Sequence, residues 1–151
     1  MQYAGKWMFH SMIARDDDFN IIYLNAEEYL NSPMPYIDEN DEDEVESEMR
    51  ERKRMINSFV KITDDMKMYL LMSLPEGVSQ QEVDAAVAAG HIKLMDGAIC
   101  SESMDCELRD GELWYNSGIE GEIFGEKTDP WVKAIDDDGF LIFVATRYIK
   151  E

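Results

Sequence analysis

The feature that most constrains this chain is its second half, where short apolar runs recur with turn residues between them. Runs at 92–100, 104–109, 112–117, 119–124, 131–135 and 140–149 alternate with turn chemistry such as Asp110-Gly111 and Asp136-Asp137-Asp138-Gly139. Closely spaced strands joined in this way make an antiparallel meander, which buries its faces by closing into a barrel or folding into a sandwich. The alternation of strands and helices that builds a parallel sheet is absent.

The first half fits the same frame with two helical insertions. Residues 7–14 read as a strand, 15–20 supply a turn and 21–30 resume in extended form, which predicts a hairpin. Asn31-Ser32-Pro33-Met34-Pro35 ends it, since proline cannot donate to a ladder. A surface helix is predicted over 42–56, with Glu46/Arg50 and Glu48/Arg52 four apart in the favourable order, acids early and bases late. Residues 58–63 and 67–74 flank Asp64-Asp65-Met66 as a second hairpin. A second helix, over 80–89, is marked by Ser79 as N-cap, Glu82 three residues on, Val78 and Val83 as a hydrophobic staple, and Gly90 as the stop.

At 151 residues the chain has the length of one domain, and one core suffices for it. A formal net charge of -19 argues against nucleic acid and against an anionic membrane surface, because both are bound through Lys and Arg. Basic protein partners and divalent cations remain open. No leader-like segment or membrane-length apolar run is present, so a cytoplasmic address is expected, with Cys100 and Cys106 as reduced thiols.

Gly5-Lys6-Trp7 at the first strand resembles the G-x-W that opens lipocalins and fatty-acid-binding proteins, and Ala145-Thr146-Arg147-Tyr148 resembles their arginine-bearing closing strand. The resemblance implies a mainly β fold, an antiparallel up-and-down calycin-like barrel of about eight strands or more, with the two short helices inserted. It would span 1–151 as a single domain, with Gly5, Trp7 and Arg147 closing it. The guanidinium would stack on the indole between neighbouring first and last strands. The function it implies is binding of a small, partly apolar ligand in the barrel interior.

Individual residues carry a structural reading beside a functional one. If Trp7 faces inward, a period of two sends Phe9, Ser11 and Ile13 inward with it and His10 outward. Arg147 is a plug on Trp7 before it is an anchor for an anion. Tyr23, Asn25, Glu27 and Tyr29 share one face of the second strand, facing ligand or solvent. Tyr69, Trp114, Tyr115 and Trp131 are pocket walls or core. The candidate ligand-binding set is therefore Phe9, Tyr23, Asn25, Tyr69, Trp114 and Arg147.

No catalytic signature, cofactor fingerprint or metal site emerges. Asp16-x-Asp18-x-Asn20 with Glu27 has Ile21 where a calcium loop needs glycine, and His10 and His91 lack partners at zinc spacing. The rival to a ligand carrier is an acidic interaction domain with a filled barrel, docking segment 38–56 on a basic protein. A small barrel enzyme using one carboxylate or tyrosine comes third.

Overall fold

The computed structural model describes residues 2–119 and 121–151. The first half contains β1 (Gly5–Arg15), β2 (Ile21–Leu24), α1 (Ala26–Leu30), α2 (Glu42–Ile56), β3 (Phe59–Ile62) and β4 (Lys67–Met72). Then come α3 (Gln80–Ala88), β5 (Leu94–Met95), β6 (Ala98–Cys100), β7 (Met104–Arg109) and β8 (Glu112–Asn116). The chain ends with β9 (Glu122–Ile123), β10 (Glu126–Lys127), β11 (Trp131–Lys133), β12 (Leu141–Phe143) and β13 (Thr146–Lys150). No helix among the described residues is long and apolar enough to cross a membrane.

The sheet is antiparallel, and eight strands follow one another across it in the order β11-β8-β7-β4-β3-β1-β13-β12. Started at β1, that path keeps sequence order through the hairpins, with β2, α1 and α2 inserted before β3, and α3, β5 and β6 before β7. The sheet curls into a half-barrel whose ends approach at one residue. Ala134 donates its N–H to the Leu113 carbonyl at 2.9 Å and accepts from the Ile142 N–H at 2.7 Å, beside an Ile135–Leu141 bridge.

First and last strands are neighbours, as expected. β1 pairs with β13 from Trp7–Lys150 to Met12–Thr146, and its other edge carries β3 over Gly5–Met8 and β2 over Met12–Arg15. Gly5 starts the strand at φ 131°, and a Cβ there would come within 3.3 Å of the Lys150 Cε, so glycine has a steric reason at this position.

The alternation expected along β1 breaks at His10. A bulge between Phe9 and Ser11 sets two residues against one step of β13, so Phe9 shares Tyr148's side while Ser11 shares Arg147's. Phe9 packs on the main core, but Ser11 and Ile13 do not follow it inward. The Ser11 hydroxyl instead meets His10 Nδ1 at 2.9 Å.

Inside the curl, Trp7, Val60, Ile62, Met68, Leu113 and Tyr148 form the main core together with Tyr115, Ala134 and Leu141. Five of these have no exposed surface at all, so the protein's own side chains occupy this space. A smaller cluster of Phe59, Leu71 and Ala98 lies on the opposite face of β3 and β4, under the β5–β6 hairpin.

Helices α2 and α3 match their predicted spans, but α1 replaces the second half of the expected strand 21–30. Asn25 accepts from the Glu28 N–H at 2.9 Å while Glu28 accepts from the Asn25 N–H at 3.1 Å, a reciprocal cap that starts a helix. The run 92–100 is a hairpin about Asp96-Gly97 rather than one strand, and 140–149 is divided by a turn at Val144. Among the described residues of 119–124 only β9 is extended; it pairs with β10 apart from the main sheet, and Glu120 lies outside the described residues.

One buried charge fixes α1 against α2. Arg52, 2% exposed, donates to the carbonyls of Tyr29 (2.9 Å), Ser32 (2.7 Å) and Pro33 (3.1 Å), to the Tyr36 hydroxyl (2.9 Å) and to Glu48 (3.1 Å). Burial works against its charge, but the bonds to Tyr36 and Glu48 outweigh it and hold the guanidinium above its ordinary pKa. The predicted Glu48/Arg52 pair is thus formed, with Arg52 buried and Glu48 half-buried, whereas no Glu46–Arg50 pair occurs among the described residues.

Candidate functional site

The six residues grouped as a ligand lining do not converge. Phe9 faces the core and stacks on Tyr29 at 6.4 Å. Asn25 caps α1, and Tyr69 packs in the small cluster on the opposite face of the sheet. Trp114 alternates with the core residues Leu113 and Tyr115, so it faces outward, where the Arg109 guanidinium lies 4.7 Å from its ring and 5.5 Å from that of Trp131. Of the four aromatics expected as pocket walls, only Tyr115 joins the main core.

Arg147 and Tyr23 do meet, on the outer side of β13. The guanidinium is sandwiched between Tyr23 and Phe140, each ring 4.0 Å away, and is 5% exposed. It donates to Asp136 at 3.1 Å and to Asp138 at 3.1 Å. Asp136 in turn accepts the backbone N–H groups of Asp138 and Phe140, which shapes the turn that delivers both carboxylates. The His10 ring lies 4.3 Å from that of Phe140.

The expected plug of Arg147 on Trp7 is therefore corrected. Trp7 stands opposite Lys150, three residues beyond Arg147, and an odd number of steps along a strand reverses the face. Tyr148 takes the inward position beside Trp7, whose indole N–H goes to the Tyr3 carbonyl at 3.0 Å. With two carboxylates and two rings around it, Arg147 is already neutralised within the protein.

Besides Arg52 and Lys67, the groups with displaced titration are tyrosine hydroxyls and cysteine thiols raised by burial. The Tyr148 hydroxyl meets Ser58 Oγ at 2.9 Å, and burial raises it above the ordinary phenol range. Burial, aided by the Asp105 charge, pushes the Cys106 thiol up to about 11. A thiol so protonated is a poor nucleophile. Native Cys106 is expected to resist iodoacetamide at pH 8 and to react once the chain is unfolded; rapid native labelling, read by peptide mass, would contradict its burial. The folded state keeps this proton where an unfolded thiol has lost it, so stability falls as pH rises from 9.0 toward about 11.

The densest run of exposed charge in the sequence is acidic. Eight of the eleven residues from 38 to 48 are Asp or Glu, and seven of them, Glu48 excepted, are exposed. Their placement follows from the helix itself. Asp41 accepts the Asp43 N–H as N-cap, and Glu42, Asp43 and Glu44 occupy the first turn at the positive end of the dipole. Glu44 and Asp38 also accept backbone N–H groups, of Asp38 and Asn40 respectively, so the strip leading into α2 is ordered. The side chains of Glu42, Asp43 and Glu46 make no such contact and stand free among the described residues.

Sequence reasoning missed the Arg147 enclosure and the Arg52 anchor. Asp136 and Asp138 were visible only as turn residues, and Arg52 only as a surface-helix partner of Glu48, with no sign of the carbonyls it holds. The Asn25-x-x-Glu28 spacing was the one local signal that could have exposed α1. The chain matches no known family model, curated protein or solved structure.

Proposed function

We propose that this protein is a non-enzymatic interaction domain, a calycin-like barrel filled by its own side chains that presents segment 38–56 to a basic protein partner. The supporting observation is an asymmetry. The inward-facing positions are occupied by buried and partly buried side chains, while the acidic strip is exposed and α2 is fixed to the 29–36 segment through Arg52. The calycin-like reading draws on the chain-ordered path of eight strands and the pairing of β1 with β13. Carboxylates at helical spacing on a backbone held by the α2 cap and Arg52 steer a cationic surface and set its register, because little backbone freedom remains to be lost on docking.

The test uses a Lys/Arg-rich peptide and calorimetry at low and at physiological salt. Combined Glu42→Gln, Asp43→Asn and Glu46→Gln substitutions are expected to weaken binding about tenfold and to flatten its salt dependence. Three neutralisations elsewhere, Asp17→Asn, Asp64→Asn and Asp137→Asn, control for net charge. Equal loss in both variants would show that only the overall charge attracts the peptide and would overturn the assignment.

A further inference from the structure

A cavity of about 320 Å³ opens between the C-terminal half of α2 and the segment leaving β4. Helical spacing brings Arg50, Lys53 and Arg54 to it with Glu51 between them, and Ser73, Leu74, Pro75 and the Glu76 carboxylate form its far wall. This concentration of bases is unusual in a chain with 33 acidic and 14 basic residues. Eight of those 14 bases hold a carboxylate within the fold, as Arg52 does with Glu48 and Lys61 with Asp96. Arg50 and Lys53 have no carboxylate, carbonyl or ring partner among the described residues, although Glu46 stands one turn before Arg50. Arg54 is tied at the back of the cleft by the Ser73 carbonyl at 3.4 Å and Glu51 at 3.5 Å. Complementing the helix dipole accounts for bases in the last turns. It does not account for two of them lying on one concave surface without an ion pair, although Glu51 and Glu76 share that surface.

We propose that this cleft binds a small phosphate monoester, with Arg50 and Lys53 holding the phosphate and Leu74 and Pro75 receiving a compact organic group. Arg50 and Lys53 face one carboxylate without a basic partner among the described residues, Glu76, so the lining stays net positive, the sign required by a phosphate monoester carrying about −1.5 to −2 at pH 7. The planar guanidinium of Arg50 offers paired donors to two phosphate oxygens, and the Lys53 ammonium adds a point charge. Ser47, one helical turn before Arg50, places a hydroxyl donor at the same cleft. The site lies beyond the acidic strip on α2, and its occupant is a small anion instead of a basic protein, so it does not rest on the function proposed above.

Phenyl phosphate is the probe, titrated into the labelled full chain and followed by amide chemical shifts. Saturable shifts confined to residues 47–57 and 73–76 are expected. Inorganic phosphate, which lacks the apolar part, and succinate, which carries two charges without the phosphate geometry, should bind more weakly. R50Q/K53Q changes only exposed side chains; it should keep the native spectrum and lose about tenfold in affinity. An R109Q control should bind as the parent does. Absence of saturable shifts, shifts centred elsewhere, tighter binding of succinate, or undiminished affinity in R50Q/K53Q would each overturn the proposal.

Discussion

Arg52→Ala is expected to destabilise the fold by about 3–5 kcal/mol, the range for removing one partner from a buried ionic network. The loss exceeds one ion pair because a single guanidinium serves the carbonyls of Tyr29, Ser32 and Pro33, the Tyr36 hydroxyl and Glu48. Without it those acceptors face one another around a void, and Glu48, which also accepts from Tyr36, loses its countercharge. Arg52→Lys should recover little, since one ammonium has three donors and cannot reach acceptors distributed along a planar fork. Urea unfolding measures both variants. A change below about 1 kcal/mol for Arg52→Ala would show that solvent satisfies these carbonyls in its place. Because Arg52 connects the 29–36 segment to α2, the same variant should release the acidic strip from its fixed register and weaken basic-peptide binding even where the domain remains folded.

What the sequence disclosed and what it hid divides along the range of the interactions involved. The β7–β8 hairpin was legible because Asp110-Gly111 is a local instruction: both residues adopt positive φ, 53° and 81°, the conformation a tight hairpin turn needs. The α3 boundaries were legible because Ser79 caps the Glu82 N–H at 3.1 Å, again within one turn. The bulge at His10 was not, since alternation along 7–14 reads smoothly and only pairing with β13 creates the extra residue. α1 was hidden because Tyr23, Asn25, Glu27 and Tyr29 satisfy a period of two over the stretch that a capping pair turns into a helix. The aromatic set failed as a site for a related reason. Tyr115 and Trp114 are adjacent, so a strand must send them to opposite faces, and no pocket can use both. In the acidic strip, composition and position sufficed, because free carboxylates on an exposed helix need no tertiary partner.

Arg147→Ala is expected to cost about 2–3 kcal/mol, the range for charge-assisted hydrogen bonds and less than for Arg52, because Asp138 on the rim is 73% exposed and can be rehydrated. What the variant removes is the element joining three segments: Tyr23 from β2, Phe140 from the turn before β12, and the 136–138 carboxylates. Double-mutant cycles discriminate this outer enclosure from a plug on the indole. Arg147→Ala with Asp136→Asn should show a coupling above about 1 kcal/mol, as contacting charged partners do, whereas Arg147→Ala with Trp7→Phe should be additive to within about 0.5 kcal/mol because the two side chains face opposite ways. The reverse pattern would mean that the guanidinium reaches through the sheet to the core face. Opposite faces also predict opposite consequences. Loss of Arg147 should loosen the 136–140 turn and the outer hairpin β1–β2, detectable as faster amide exchange at Asp138 and Phe140, while Trp7→Phe should act on exchange around Val60 and Tyr148.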